Sequence, residues 1–273
     1  LSIFQRELAL QEAFASALKR QGFSDERIAI ELSNIYLEVR GADTLDITEV
    51  EDLINHCRDC YGQELVMENF VPVPGRGKPN PDIVFVGIMP GNTEQETGKV
   101  FSGPNSKILR DAMSAVGIGS NDCPIYATNL VCCSPLKGEP RVKQVTNCSP
   151  YLSQALWVLQ PNIIVTLGTK ALSYFLGKSV KISEYEGEVL LQGRFILVPL
   201  KHPSALHRIT NPKEREAAFK TYKEQIAGVK RMNDRMKKLR EEGKIMEKGD
   251  AGVSFFKEVT SGESPPENQQ LLC

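Results

Sequence analysis

Long apolar runs, a strong net charge and internal repeats are all missing from this sequence, and each absence narrows its class. No stretch is apolar enough to span a bilayer, so no membrane partner is expected. The 33 Lys and Arg are offset by 34 Asp and Glu, a net charge of −1. Bulk charge therefore does not announce a nucleic-acid binder, although phosphate contact needs only one basic face. Residues 1–20 read as an amphipathic helix with acidic residues in it, unlike a secretory signal or an Arg-rich transit peptide. A cytoplasmic setting, in a nucleoid or a viral replication context, is expected. Histidine is scarce, with 3 in 273 residues. Cysteine is not: there are 7, an odd number. Without an export signal, metal ligation or buried thiols explain them better than disulfides.

The pattern along the chain divides in two. Residues 3–20 and 24–40 carry apolar residues at helical spacing, and a third helix is predicted to start at Thr48, with Glu51 completing a capping box. It runs into Cys57 and Cys60. Segment 69–81, rich in Pro and Gly, reads as loop. Apolar runs at Ile83–Gly87, Ile125–Val131, Ile163–Leu167 and Phe195–Leu200 then alternate with helical stretches at 105–116, 142–159 and 169–176. That alternation predicts an α/β fold: a three-layer α/β/α arrangement on a mostly parallel four-stranded sheet. A long C-terminal helix follows over 212–242, capped by Asn211 with Pro212 at its first position. The expected organisation is an N-terminal helical extension over 1–52, an α/β domain over 53–242, and a polar, flexible tail over 243–273.

Ligands of open parallel sheets bind beyond the carboxyl ends of the strands. The first strand is followed there by Gly87-Ile88-Met89-Pro90-Gly91, the second ends near Asn129, and the last runs into His202-Pro203-Ser204. Three segments far apart in sequence thus converge on one sheet edge. A buried amide at Asn129 requires partners, as base reader or as structural hydrogen-bonder. Cys57-x-x-Cys60 and the pair Cys133 and Cys148 make a four-thiolate set whose spacing alone fits zinc and an iron–sulfur cluster equally. Cys132 reads as a small packing residue beside it. Cys123 and Cys273 have no evident role.

From Cys57 to Arg208 the chain resembles the family-four uracil-DNA glycosylases. Their first motif, Gly-Glu-x-Pro-Gly with an acidic stretch, then Thr-Gly and Phe-x-Gly, is similar to GIMPGNTEQETGKVFSG at 87–103. Their middle motif, an Asn followed by Cys-x-Pro, is similar to Asn129–Pro135, and their His-Pro-Ser to 202–204. The resemblance implies a DNA glycosylase that flips uracil or a related pyrimidine out of single- or double-stranded DNA and leaves an abasic site. It implies a 4Fe-4S cluster on Cys57, Cys60, Cys133 and Cys148. Asn129 would read the base edge, Phe101 would stack beneath the base, and His202 would stabilise charge on the departing ring. Gly87, Ile88, Met89 and Gly91 would line the base site. Lys201, Ser204, Leu206, His207 and Arg208 would meet DNA, with Leu206 as the wedge. Lys107 and Arg110 are further candidate phosphate contacts, while Lys230, Arg231, Arg235, Lys237, Lys238 and Arg240 add basic charge to the final helix and read more readily as its solvated face. A monomer is expected, with the N-terminal helices available to a protein partner.

The match departs at one point. Where the family carries its first-motif Glu, this chain has Ile88, followed by Met89, and neither side chain can orient a water. Glu94, in the neighbouring acidic stretch, is the candidate substitute. Two functions follow from this: a glycosylase, or a catalytically weak module that binds a base or DNA within a replication or repair assembly.

Overall fold

A computed structural model describes residues 46–242 apart from 67, 68, 193 and 194. The helices expected over 3–20 and 24–40, and the tail over 243–273, lie outside the described residues. The first described helix is α1 (Ile47–His56). It begins earlier than Thr48, because the Asp46 carboxylate accepts from the Thr48 and Glu49 amides and Glu49 reaches back to the Asp46 amide. The boundary expected between 52 and 53 falls inside this helix. Its buried stripe, Ile47, Val50 and Ile54, packs into the same core as the sheet.

Six strands form one sheet: β1 (Arg76–Gly77), β2 (Ile83–Gly87), β3 (Ile125–Asn129), β4 (Ile163–Leu167), β5 (Leu190–Gln192) and β6 (Phe195–Leu200), in the spatial order β1-β3-β2-β4-β6-β5. The four central strands are parallel, as the alternation predicted. The short strands β1 and β5 are additions, each pairing antiparallel at an edge. Every residue of β2 and β4 is buried, and the two-residue period sorts them between two cores. Ile83, Phe85, Ile163, Val165 and Leu167 face α3 (Lys107–Ala115) and the long α7 (Pro212–Glu241). Val84, Val86 and Ile164 face α1 and α4 (Val142–Leu159). Each such side chain contributes roughly 1.5–3 kcal/mol by leaving water.

Three further helices complete the described fold: α2 (Asn92–Thr97), α5 (Thr169–Leu176) and α6 (Pro203–His207). Helix α4 tolerates an interior proline. Pro150 has no N–H for the Thr146 carbonyl, and the Ser149 hydroxyl donates to that carbonyl instead, at 3.1 Å.

Helix α7 is tied to the amino ends of the strands, opposite the expected site. Fully buried Asn233 donates to Asp82 Oδ2 at 3.1 Å and accepts from Asn162 Nδ2 at 3.0 Å. Lys237 adds an ion pair to Asp82 at 2.6 Å. Replacing Asn233 with Ala removes the acceptor for Asn162 and a donor to Asp82. Denaturant unfolding of Asn233→Ala is expected to show a loss of about 2–3 kcal/mol, since buried groups stripped of partners keep their desolvation cost. A loss under about 0.5 kcal/mol would mean water replaces the amide there.

Candidate functional site

The parallel register levels the strand ends. Gly87 pairs directly with Asn129, and the Gly168 amide, just past β4, donates to Leu200 O at the end of β6. Gly87, Asn129, Gly168 and His202 therefore stand along one edge of the sheet.

The absence of a side chain at Gly87 makes the site. A Cβ there would lie 2.4 Å from Asn129 Oδ1 and 2.8 Å from Phe101 Cε1, so the amide and the ring flank this glycine. Asn129 is buried, and among the described residues nothing donates to its Oδ1. A buried acceptor without a donor costs about 1–3 kcal/mol, and a ligand N–H would remove that cost.

Phe101 holds a left-handed backbone, φ 51°, which a bulky residue adopts only when its surroundings impose it. Two groups impose it. Arg110 donates to the carbonyls of Phe101 and Gly103, at 2.6 and 2.9 Å. The buried Glu94 carboxylate accepts from the Gly103 amide at 2.7 Å and the Gly91 amide at 3.1 Å. Glu94 thus fastens the loop after β2 to the loop carrying Phe101. With one oxygen on each amide, its observed work is positioning. The same carboxylate occupies the Gly91 amide, and the Phe101 and Gly103 carbonyls hold Arg110 Nη1 against this loop.

His202 caps α6, its Nδ1 accepting from the Ser204 amide at 3.2 Å and lying 2.8 Å from Ser204 Oγ. A lone pair used at Nδ1 leaves the proton of the neutral ring on Nε2. Burial, and then the positive charge of Arg208, push this imidazole below its ordinary range, while Glu94 opposes them. Arg208 also donates to Ser204 Oγ at 3.3 Å. Gly168 was not singled out from the sequence, yet a Cβ there would stand 3.2 Å from His202 Cβ and 3.5 Å from Ile88 Cδ1. Its signal was available, since it is a glycine directly after a fully buried strand, as Gly87 is. Ile88 and the histidine thus both border Gly168, whereas Met89 packs against the core on the α1 and α4 side.

Leu206 is a correction. It is 2% exposed and belongs to the core beneath α7. In α6, Pro203 and Leu206 are three residues apart and share the buried face, so no wedge protrudes there. His207 packs edge-on against Phe219. Lys201 pairs with Glu186 at 2.5 Å and Lys107 with Asp111 at 2.5 Å, while Lys230 pairs with Asp234. These cations already have carboxylate partners.

The thiols also converge. Cys57, Cys60, Cys132, Cys133 and Cys148 line one cleft, with Asn147 and Tyr151 beside them. Burial raises the Cys57 and Cys60 thiols, and burial with the charge of Cys148, Cys57 and Cys60 pushes Cys133 up to about 12. Cys132 donates to Cys148 and so holds the Cys148 thiol below its ordinary value. Crowded thiolates repel one another unless a positive centre lies between them, so this donor set fits a metal centre. Among the described residues, however, no three such ligands stand close enough to hold a single ion. Ser134, next to Cys133, donates to Pro90 O at 2.5 Å and ties the thiol cleft to the loop after β2. Cys123 lies elsewhere, against Asn233.

Comparison with known proteins agrees with this geometry. The family model described as the uracil DNA glycosylase superfamily matches residues 74–226. The chain is 31% identical over 200 residues to the type-4 uracil-DNA glycosylase of Saccharolobus solfataricus, covering 68% of this chain and 88% of that protein. It is 32% identical over 174 residues to the type-4 enzyme of Pyrobaculum aerophilum, covering 60% and 86%. Against that of Sulfurisphaera tokodaii it is 29% identical over 186 residues, covering 65% and 82%. With more than half of its length matched by the family model and its strand-end residues gathered on one edge, the chain belongs to the uracil-DNA glycosylase superfamily.

Proposed function

We propose that this chain is a DNA glycosylase that binds an extrahelical uracil and hydrolyses its N-glycosidic bond, leaving an abasic site. The observation that carries the reading is the buried, unpartnered Asn129 Oδ1, which with the Phe101 ring flanks Gly87. Uracil offers N3–H to that oxygen and O4 to the Asn129 amide N–H, whereas cytosine presents an acceptor and a donor in reverse. The Phe101 ring supplies a stacking surface, and Gly87 leaves the space.

As the C1′–N1 bond breaks, negative charge collects on the uracil ring. Neutral His202, protonated at Nε2, donates to O2 and stabilises it. Water adds its oxygen to C1′, and its proton is left to the departing uracil and solvent. Glu94 and Arg110 act as positioning residues, holding the Phe101 loop against the loop after β2. Ile88 contributes no polar atom, so leaving-group stabilisation carries the reaction and the rate is modest. Ile88 also favours a second reading, in which the pocket binds the base without cutting.

Single-turnover excision from uracil-containing oligonucleotides, read as strand scission after alkali, separates the two. The wild type is expected to cut, His202→Ala to lose about 10²–10³-fold, and Ile88→Glu to cut faster. A silent wild type with an active Ile88→Glu would establish the binding module instead. The pH profile tests the tautomer. Because the folded-state pKa of His202 is lowered, the neutral ring persists above about pH 6.5, so the rate should be level there and fall only in more acid solution. A rate that falls as pH rises through neutrality would mean the imidazolium is the working form.

We further infer that Cys57, Cys60, Cys133 and Cys148 hold a 4Fe-4S cluster, with a structural role. The four thiols line one cleft, and a cluster of this type is held by four Cys thiolates. Purified protein is expected to carry about four irons and as many acid-labile sulfides per chain. Cys133→Ser should lose them and Cys132→Ser retain them. Stoichiometric zinc without sulfide would overturn this assignment.

A further inference from the structure

With Leu206 buried, segment 202–211 offers no exposed large apolar side chain to take the place of a flipped base. Exposed large hydrophobic residues among the described ones are few: Leu53, Val71, Leu136, Val142 and Val189. Two of them, Leu136 and Val142, lie on the segment that leaves β3 just after Asn129. Val142, at the first turn of α4, is 84% exposed.

Two contacts place this segment on the rim of the site, and a third ties it to the side of the thiol cleft. Ser134 bonds Pro90 O, in the loop after β2. Glu139 pairs at 3.4 Å with Lys170, two residues beyond the Gly168 that abuts His202 and Ile88. The Leu136 amide donates to Leu65 O at 2.9 Å. The segment is also anchored at both ends, by buried Cys133 and buried Cys148 in the thiol cleft.

Its charge is one-sided. Lys137, Arg141 and Lys143 are exposed and form no ion pair among the described residues. Its one carboxylate, Glu139, is engaged by Lys170. Two exposed apolar side chains on a segment that also carries unpaired cations suit a surface that meets phosphates and enters the base stack.

We propose that Leu136–Lys143 is the duplex-opening surface of this protein. Leu136 and Val142 enter the gap left by the flipped base, and Lys137, Arg141 and Lys143 hold the flanking phosphates. The wedge rests on the reading that the pocket takes an extrahelical base. The phosphate contacts do not.

Two measurements test it. The first is affinity for uracil-free duplex as a function of salt, which is independent of excision. The triple variant Lys137→Gln, Arg141→Gln, Lys143→Gln is expected to lower the slope of log K against log salt by about one for each cation removed. An unchanged slope would overturn the phosphate role. The second uses Leu136→Ser with Val142→Ser, two surface changes whose folding is checked by thermal melting. Excision from duplex should fall about tenfold while excision from single strands holds. Equal loss on both substrates, or no loss on either, overturns the wedge. If the wild type cuts neither substrate, 2-aminopurine beside the uracil reports opening from binding alone. Its fluorescence rise should be at least halved in the double variant, and an equal rise overturns the proposal.

Discussion

The pairing of Gly87 with Asn129 at the ends of two buried parallel strands is the constraint on which the site depends. A slip of one residue in either strand would turn every side chain of that strand to the opposite face. Asn129 would then leave the glycine it lies against, and the apolar residues before it would exchange cores. The register is held by burial on both faces, because Val84 and Val86 belong to one core and Ile83 and Phe85 to the other. Geometry at the site is thus enforced by hydrophobic packing well away from it.

Much of this was legible in the sequence, because strands buried on both faces write themselves as unbroken apolar runs. The four central strands, the helices α3, α4 and α5 between them and the convergence of Gly87, Asn129 and His202 follow from that, whereas the short α2 was not read from the sequence. The edge strands were hidden for the opposite reason. Arg76–Gly77 is two exposed residues in a Pro- and Gly-rich stretch, and its pairing is visible only from β3. Leu206 was misread because its neighbours His202 to Ser204 drew it into a site motif, while α6 turns it inward. The grip of Glu94 and Arg110 on the Phe101 loop consists of bonds to backbone groups seven to nine residues away, which no side-chain pattern announces.

Ile88 changes the electrostatics of its surroundings as well as its own position. An aliphatic side chain at 88, across Gly168 from His202, brings no charge to the neighbourhood of an imidazole that burial already holds below its ordinary range. A carboxylate there would draw the imidazole toward its charged form. A charge introduced at 88 is therefore expected to move the proton equilibrium of the histidine.

Phe101 carries a consequence for how this protein tolerates change. Its left-handed backbone disfavours every residue with a side chain relative to glycine, so selection for thermal endurance alone would replace it. A phenylalanine there marks a position where the folded chain holds conformational energy in reserve, ready before any ligand arrives. Libraries screened for heat resistance would drift toward glycine at 101 and lose the aromatic face on the way.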